Sequence, residues 1–281
     1  TQASKAGPVW TGRLTLAPDD ILTAPLRWKR PRRIFVNSMS DLFHESVRDE
    51  WIDRIFAVMA MCPQHTFQVL TKRSARMRQY MDKACGRIAD TIMAMRRERG
   101  DSDMVVVPLP HVRLGASWWP LQNVWLGVST EDQRRADERV PDLRETPAAV
   151  RFISAEPLLV AIDFEPWLDR IDWIIVGGES GPGARPMHPD WARSIRDQCE
   201  AAGTAFFFKQ WGEWLNEQVA TAMHLAPDAA MFDRFGAPKG PKWHPYEASD
   251  RNGGALIRVG KKAAGRLLDG REHNAMPEAR Q

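Results

Sequence analysis

Six short runs rich in apolar and β-branched residues recur along the chain: Arg33–Val36, Thr66–Leu70, Asn123–Val128, Val150–Ile153, Trp173–Val176 and Ala205–Phe208. Each is near strand length, and continuous apolar runs are what a strand covered on both faces requires. Between them the period changes. Val47, Trp51, Ile52, Ile55, Phe56, Val58 and Met59 recur at helical spacing, and Cys62-Pro63 stops the segment. Ala75–Met81 and Gly86–Arg99 read as further helix, Glu131–Leu143 as a charged surface helix, and Asp190–Ala202 as a helix ended by Gly203. Strand and helix therefore alternate, and repeated right-handed crossover units give either an open doubly wound sheet or a barrel. The expected fold is α/β, a partial parallel β/α barrel of about six strands.

The stretch Gly100–Gln122 lacks either period and predicts an insertion, a candidate lid. After Gly212 the pattern decays. Gly236–Gly254 is rich in Gly, Pro, Lys and Trp, and Ala255–Val259 offers one last strand. The expected organisation is a barrel over residues 1–212 and an irregular extension over 213–281 packed on it.

At 281 residues and 43% hydrophobic, the chain can bury a sizeable core. Its 39 basic and 36 acidic residues are interspersed, so the net charge of +3 points only weakly to a polyanionic partner. The clusters Arg27–Arg33, Lys72–Arg78, Arg96–Arg99 and Arg258–Arg271 argue more strongly for nucleic acid. No run of about 18 apolar residues or signal-peptide core occurs, which predicts a cytoplasmic protein without a membrane partner. The start at Thr1, without methionine, predicts an incomplete amino terminus. Cys62, Cys85 and Cys199 are odd in number and widely spaced, as for buried structural thiols rather than disulfides or metal ligands. The histidines lack metal-site spacing, and His44 and His188, in strand-end loops, read as structural or exposed. Trp118, Trp119, Trp211, Trp214 and Trp243 read as packing residues rather than base-stacking platforms.

Polar clusters follow every strand: Asn37-Ser38-Met39-Ser40-Asp41, Thr71-Lys72-Arg73, Ser129-Thr130-Glu131-Asp132, Ser154-Ala155-Glu156-Pro157, Gly177-Gly178-Glu179-Ser180-Gly181 and Lys209-Gln210-Trp211. In parallel α/β folds ligands bind beyond the carboxyl ends of the strands, so these clusters predict one functional rim. Helix capping competes as an explanation for Ser40, Asp41, Ser129 and Thr130. Glu156 resists it, standing between an apolar strand and Pro157-Leu158-Leu159. If strands four to six are neighbours about 4.8 Å apart, Glu156, Glu179 and Lys209 share one pocket as candidate catalytic groups. Asn37, Ser38, Asp41, Thr71, Lys72, Ser129, Ser154, Gly177, Gly178 and Ser180 are the candidate ligand-binding residues on the same rim.

The runs Arg33-Ile-Phe-Val-Asn-Ser-Met-Ser-Asp-Leu-Phe-His44, Phe67-Gln-Val-Leu-Thr-Lys-Arg73, Val124-Trp-Leu-Gly-Val-Ser129, Arg151-Phe-Ile-Ser-Ala-Glu-Pro-Leu-Leu159 and Trp173-Ile-Ile-Val-Gly-Gly-Glu-Ser180 occur in order, followed by Phe208-Lys-Gln-Trp-Gly212 and Gly260-Lys-Lys-Ala-Ala-Gly-Arg-Leu-Leu-Asp-Gly270. Together they resemble the phage gene-product thirty-seven/sixty-eight family, carried by phages and bacteria, from about Trp10 to His273. The resemblance implies a radical S-adenosylmethionine-like protein: a six-stranded partial barrel, a [4Fe–4S] cluster held by an amino-terminal cysteine motif, and S-adenosylmethionine at the strand ends near Ser154, Glu156, Gly177, Gly178 and Glu179. None of the three cysteines matches that motif, so the cluster and its reductive chemistry are expected only of a protein carrying it. The expected function is the body of such an enzyme, with an unknown substrate. A nucleic-acid-binding or nucleic-acid-modifying protein and a non-enzymatic phage interaction module on a barrel scaffold are the alternatives.

Overall fold

A computed structural model describes residues 14–38, 40–100, 118–216 and 256–277. Its six main strands are β1 (Arg33–Val36), β2 (Thr66–Thr71), β3 (Val124–Ser129), β4 (Val150–Ala155), β5 (Trp173–Gly177) and β6 (Ala205–Gln210). They stand in one sheet in the order β1-β2-β3-β4-β5-β6. A doubly wound sheet reverses its strand order at a switch point, and none occurs here. The fold is therefore a six-strand parallel half-barrel interleaved with helices, as the alternating pattern predicts.

The α-helices are α1 (Asp19–Leu22), α2 (Asp49–Ala60), α3 (Ser74–Met81), α4 (Ala84–Glu98), α5 (Gln133–Glu145), α6 (Pro189–Ala202) and the short α7 (Lys261–Ala264). A small antiparallel pair, β7 (Trp214–Asn216) and β8 (Leu256–Arg258), follows. The predicted insertion lies outside the described residues except at its ends, and Gly236–Gly254 lies wholly outside them.

The chain forms two compact units, Thr1–Trp125 with Thr146–Ala149, and Leu126–Glu145 with Val150–Gln281. In the first, α2 turns Ile52, Phe56 and Met59 into a core shared with Phe43, Met77, Met81 and Ile88. The buried Asp53 carboxylate accepts from Tyr80 Oη at 2.6 Å and Arg87 Nε at 3.1 Å, so no bare charge is left in the interior. Burial, and then the bond to Asp53, push the Tyr80 hydroxyl pKa far up.

In the second unit, Phe152, Ile153, Ile174, Val176, Phe206 and Phe208 from β4–β6 are buried, as are Ala192, Ile195 and Cys199 on α6. His188 Nδ1 accepts from Asp190 N at the start of α6, and Gly203, at φ 72°, ends it. The carboxyl-terminal segment returns to the exposed edge of β6. Phe208 N donates to His273 O at 3.0 Å, Phe207 bridges Asn274, and Trp211 Nε1 donates to Leu267 O at 2.8 Å. An uncovered parallel edge would present unpaired amides to other chains, and this segment occupies it.

Candidate functional site at the strand ends

In the second unit the strand register brings the rim residues together. β4 and β5 pair with Ala155 opposite Val176, so Glu156 leaves the sheet beside Gly177. β5 and β6 pair with Val176 opposite Phe208 but Gly177 opposite Gln210, which leaves Lys209 as the extra residue of a β-bulge. In a regular strand Lys209 and Gln210 would point to opposite faces. The register shift at Lys209 lets both side chains reach one carboxylate, although Lys209 stays exposed and Gln210 buried. Lys209 Nζ lies 2.8 Å from Glu156 Oε2, and Gln210 Nε2 donates to Glu156 Oε1 at 3.2 Å.

To reach β6, the Glu156 side chain crosses the end of β5, and Gly177 makes the path. A Cβ there would come within 3.1 Å of Glu156 Oε1. Gly178 has a different cause: its Cβ would lie 1.9 Å from the Trp211 carbonyl oxygen, so two backbones meet at this point. Of the two adjacent glycines, one makes room for the Glu156 side chain and the other for a close approach of two backbones.

The Glu156 side chain is 20% exposed and that of Lys209 is 51% exposed. An ion pair this open contributes well under about 1 kcal/mol, so stability alone gives little reason for a bulge that aims two donors at one carboxylate. The arrangement presents a carboxylate and an ammonium side by side to solvent. That set is complementary to a zwitterion.

Glu179 is engaged elsewhere. Its carboxylate makes a two-pronged contact with Arg185 Nε and Nη2, each 2.8 Å, and accepts from Arg185 N at 2.8 Å. The Arg185 side chain is the main cause holding its pKa below the ordinary carboxylate range. Gly181 N donates to Glu213 Oε1 and Glu213 N to Glu179 O, closing the loop that carries Ser180, which is exposed. Of the three groups expected to share one pocket, Glu156 and Lys209 meet across the end of β5, while Glu179 and Arg185 fasten the adjoining loop.

The remaining rim candidates divide by unit. In the second, Ser129 and Ser154 are buried: Ser129 O accepts from Arg139 Nη1 at 2.7 Å, and Ser154 O accepts from Thr130 N at 2.9 Å. Thr130 Oγ1 is buried without a hydrogen-bond partner. In the first unit, Asn37 takes φ 55° as β1 ends, and Ser38 is exposed. Asp41 accepts from Thr71 Oγ1 at 2.6 Å, Lys72 N at 2.9 Å and Phe43 N at 3.0 Å, so it ties the loops after β1 and β2 rather than capping a helix. The Lys72 side chain is exposed, and Arg73 pairs with Glu45 at 2.9 Å.

Sequence reasoning placed Gln210 on the rim without naming it a candidate and missed Arg185. Gln210 carried a faint signal, since it continues the buried alternation of Phe206 and Phe208 where an apolar residue is expected. Arg185 carried none.

The cysteines do not supply a cluster site. Burial pushes the Cys62 thiol up to about 11 and that of Cys199 up to about 12, and it raises the Cys85 thiol as well. Thiols held protonated are poor ligands, and no group of three metal-ligating side chains occurs among the described residues. His44 Nδ1 accepts from Ser46 N, and His188 caps α6. Among the described residues no helix is long and apolar enough to cross a membrane.

No curated protein and no solved structure matches the chain. Residues 2–277 match the family described as "Protein of unknown function (DUF5131)", and the chain belongs to that family.

Proposed function

We propose that the chain is the barrel body of an enzyme that binds S-adenosylmethionine at the carboxyl ends of β4, β5 and β6. The bulge at Lys209 carries this reading, because it joins an anion, a cation and an amide donor at the part of a β/α fold where ligands bind. The motifs resembling the phage gene-product family add the cofactor class.

S-adenosylmethionine carries an α-amino acid head, and the residues present fit it. Glu156 takes the ammonium, Lys209 takes the carboxylate, and Gln210 holds Glu156 in place. Once bound, the molecule supplies a sulfonium whose carbon–sulfur bonds can be broken. Glu179 and Arg185 keep the Gly178–Arg185 loop closed beside it. The cysteine set does not fit an iron–sulfur cluster, and no step is assigned to one. The enzyme's substrate is a separate molecule.

Calorimetric titration tests the reading. Wild-type protein should bind S-adenosylmethionine, and Glu156→Gln and Lys209→Met should each weaken binding about tenfold or more, roughly 1.4 kcal/mol. Melting of the free variants should stay within about 1 kcal/mol of wild type. Absence of binding, or equal binding by the variants, would overturn the assignment.

A further inference from the structure

Most basic stretches of the chain are answered by acids or carbonyls. Arg73 pairs with Glu45, Arg76 with Asp49, and Arg258 lies 3.6 Å from Glu213. In the stretch Arg27-Trp-Lys-Arg-Pro-Arg-Arg33, before β1, Arg27 Nη2 donates to Asp20 O at 2.8 Å, but the cations between Arg27 and Arg33 differ. Five of the seven residues in the stretch are cationic, and all five are exposed. Among the described residues no carboxylate pairs with Lys29, Arg30 or Arg32.

The backbone beneath these cations is fixed. The ring of His65, 1% exposed, accepts from Arg32 N through Nδ1 at 3.2 Å and has Nε2 3.2 Å from Pro25 O. Gln64 Nε2 reaches Trp28 O at 3.4 Å, and Thr66 N donates to Arg32 O at 2.9 Å. Arg32 lies over the Trp28 ring, 4.3 Å from its centroid, so that face of the indole is already occupied. The segment is a strap pinned at several points, with cations held ready and no ring face of Trp28 on the Arg32 side for a base to stack on. Cations without a carboxylate partner on a fixed backbone, as at Lys29, Arg30 and Arg32, suit a regularly spaced polyanion, because little backbone ordering is left for binding to impose.

We propose that the strap Arg27–Arg33 binds the phosphate backbone of a nucleic acid without reading its bases. The proposal does not rest on the S-adenosylmethionine site. Duplex DNA and single-stranded RNA share the phosphodiester chemistry, and parallel titrations separate them.

The experiment is fluorescence anisotropy with a labelled random-sequence DNA duplex and a matching RNA strand, between about 50 and 200 mM salt. Contacts from Lys29, Arg30 and Arg32 predict a slope of log affinity against log salt near −3, at roughly −0.9 per phosphate for duplex. Replacing Lys29→Ser and Arg30→Ser together should reduce that slope by about 2 and weaken low-salt binding at least about tenfold. The charge-preserving pair Lys29→Arg and Arg30→Lys should retain it. No binding by wild type, an unchanged slope in the serine variant, or equally variant-sensitive binding to phosphatidylserine vesicles would overturn the proposal.

Discussion

Gly177 shows how one missing side chain can define a site. The nearest atom to its absent Cβ is a Glu156 carboxylate oxygen at 3.1 Å. Gly177→Ala should displace that carboxylate by a few tenths of an ångström, weaken ligand binding severalfold and cost only about 1 kcal/mol in stability. Gly178→Ala meets backbone at 1.9 Å and should lower stability by more than about 4 kcal/mol, measured by denaturant melting. Nearly equal losses of stability in the two variants would contradict this division of roles. The thiols allow a second residue-level test. Cys62 and Cys199 are buried, with thiols pushed up to about 11 and about 12, so iodoacetamide at neutral pH should label them only after unfolding.

At the scale of elements, the strands were legible as continuous apolar runs of strand length and the long helices by their period of 3.6, both written directly in residue type. Five of the six barrel strands end one or two residues beyond the apolar runs, because Thr71, Ser129, Ser154-Ala155, Gly177 and, past the bulged Lys209, Gln210 remain in the ladder while being polar or small. The expectation that Glu156, Glu179 and Lys209 would share one pocket rested on strand order alone, and the side chains of Glu156 and Lys209 meet while Glu179 is held by Arg185. The bulge that brings Gln210 to the same carboxylate did not, since register is a property of two strands and of no single stretch. The role of Asp41 was hidden likewise, its partners Thr71 and Lys72 lying at and just past the end of the next strand. Two substitutions probe these elements. Gly86, in α4, has open space where a Cβ would go, and Gly86→Ala should stabilise by about 0.5–1 kcal/mol. Trp211→Phe removes the bond to Leu267 O that holds the terminal segment near β6, and should destabilise by about 1 kcal/mol and speed proteolysis of that segment.

For the whole molecule, the terminal segment is fastened to α6 by charge. Arg193 and Arg196 each contact Asp269, at 2.8 and 2.5 Å. Partial burial raises the Asp269 pKa, but the two guanidinium bonds outweigh it and the net shift is downward. A carboxyl with a depressed folded pKa contributes stability above its unfolded value, about 3.9, and loses it as pH falls through the folded one. The difference in melting temperature between wild type and Asp269→Asn should therefore be present at neutral pH and shrink below about pH 4. Acid behaviour of this kind reports how the chain is held together, whereas the central claim concerns what the strand ends bind. It is tested most directly by comparing the affinities of wild type and Lys209→Met for S-adenosylmethionine and its decarboxylated form. Wild type should prefer the intact molecule by about tenfold or more, and Lys209→Met should abolish the preference. Equal affinity of wild-type protein for the two would contradict the account.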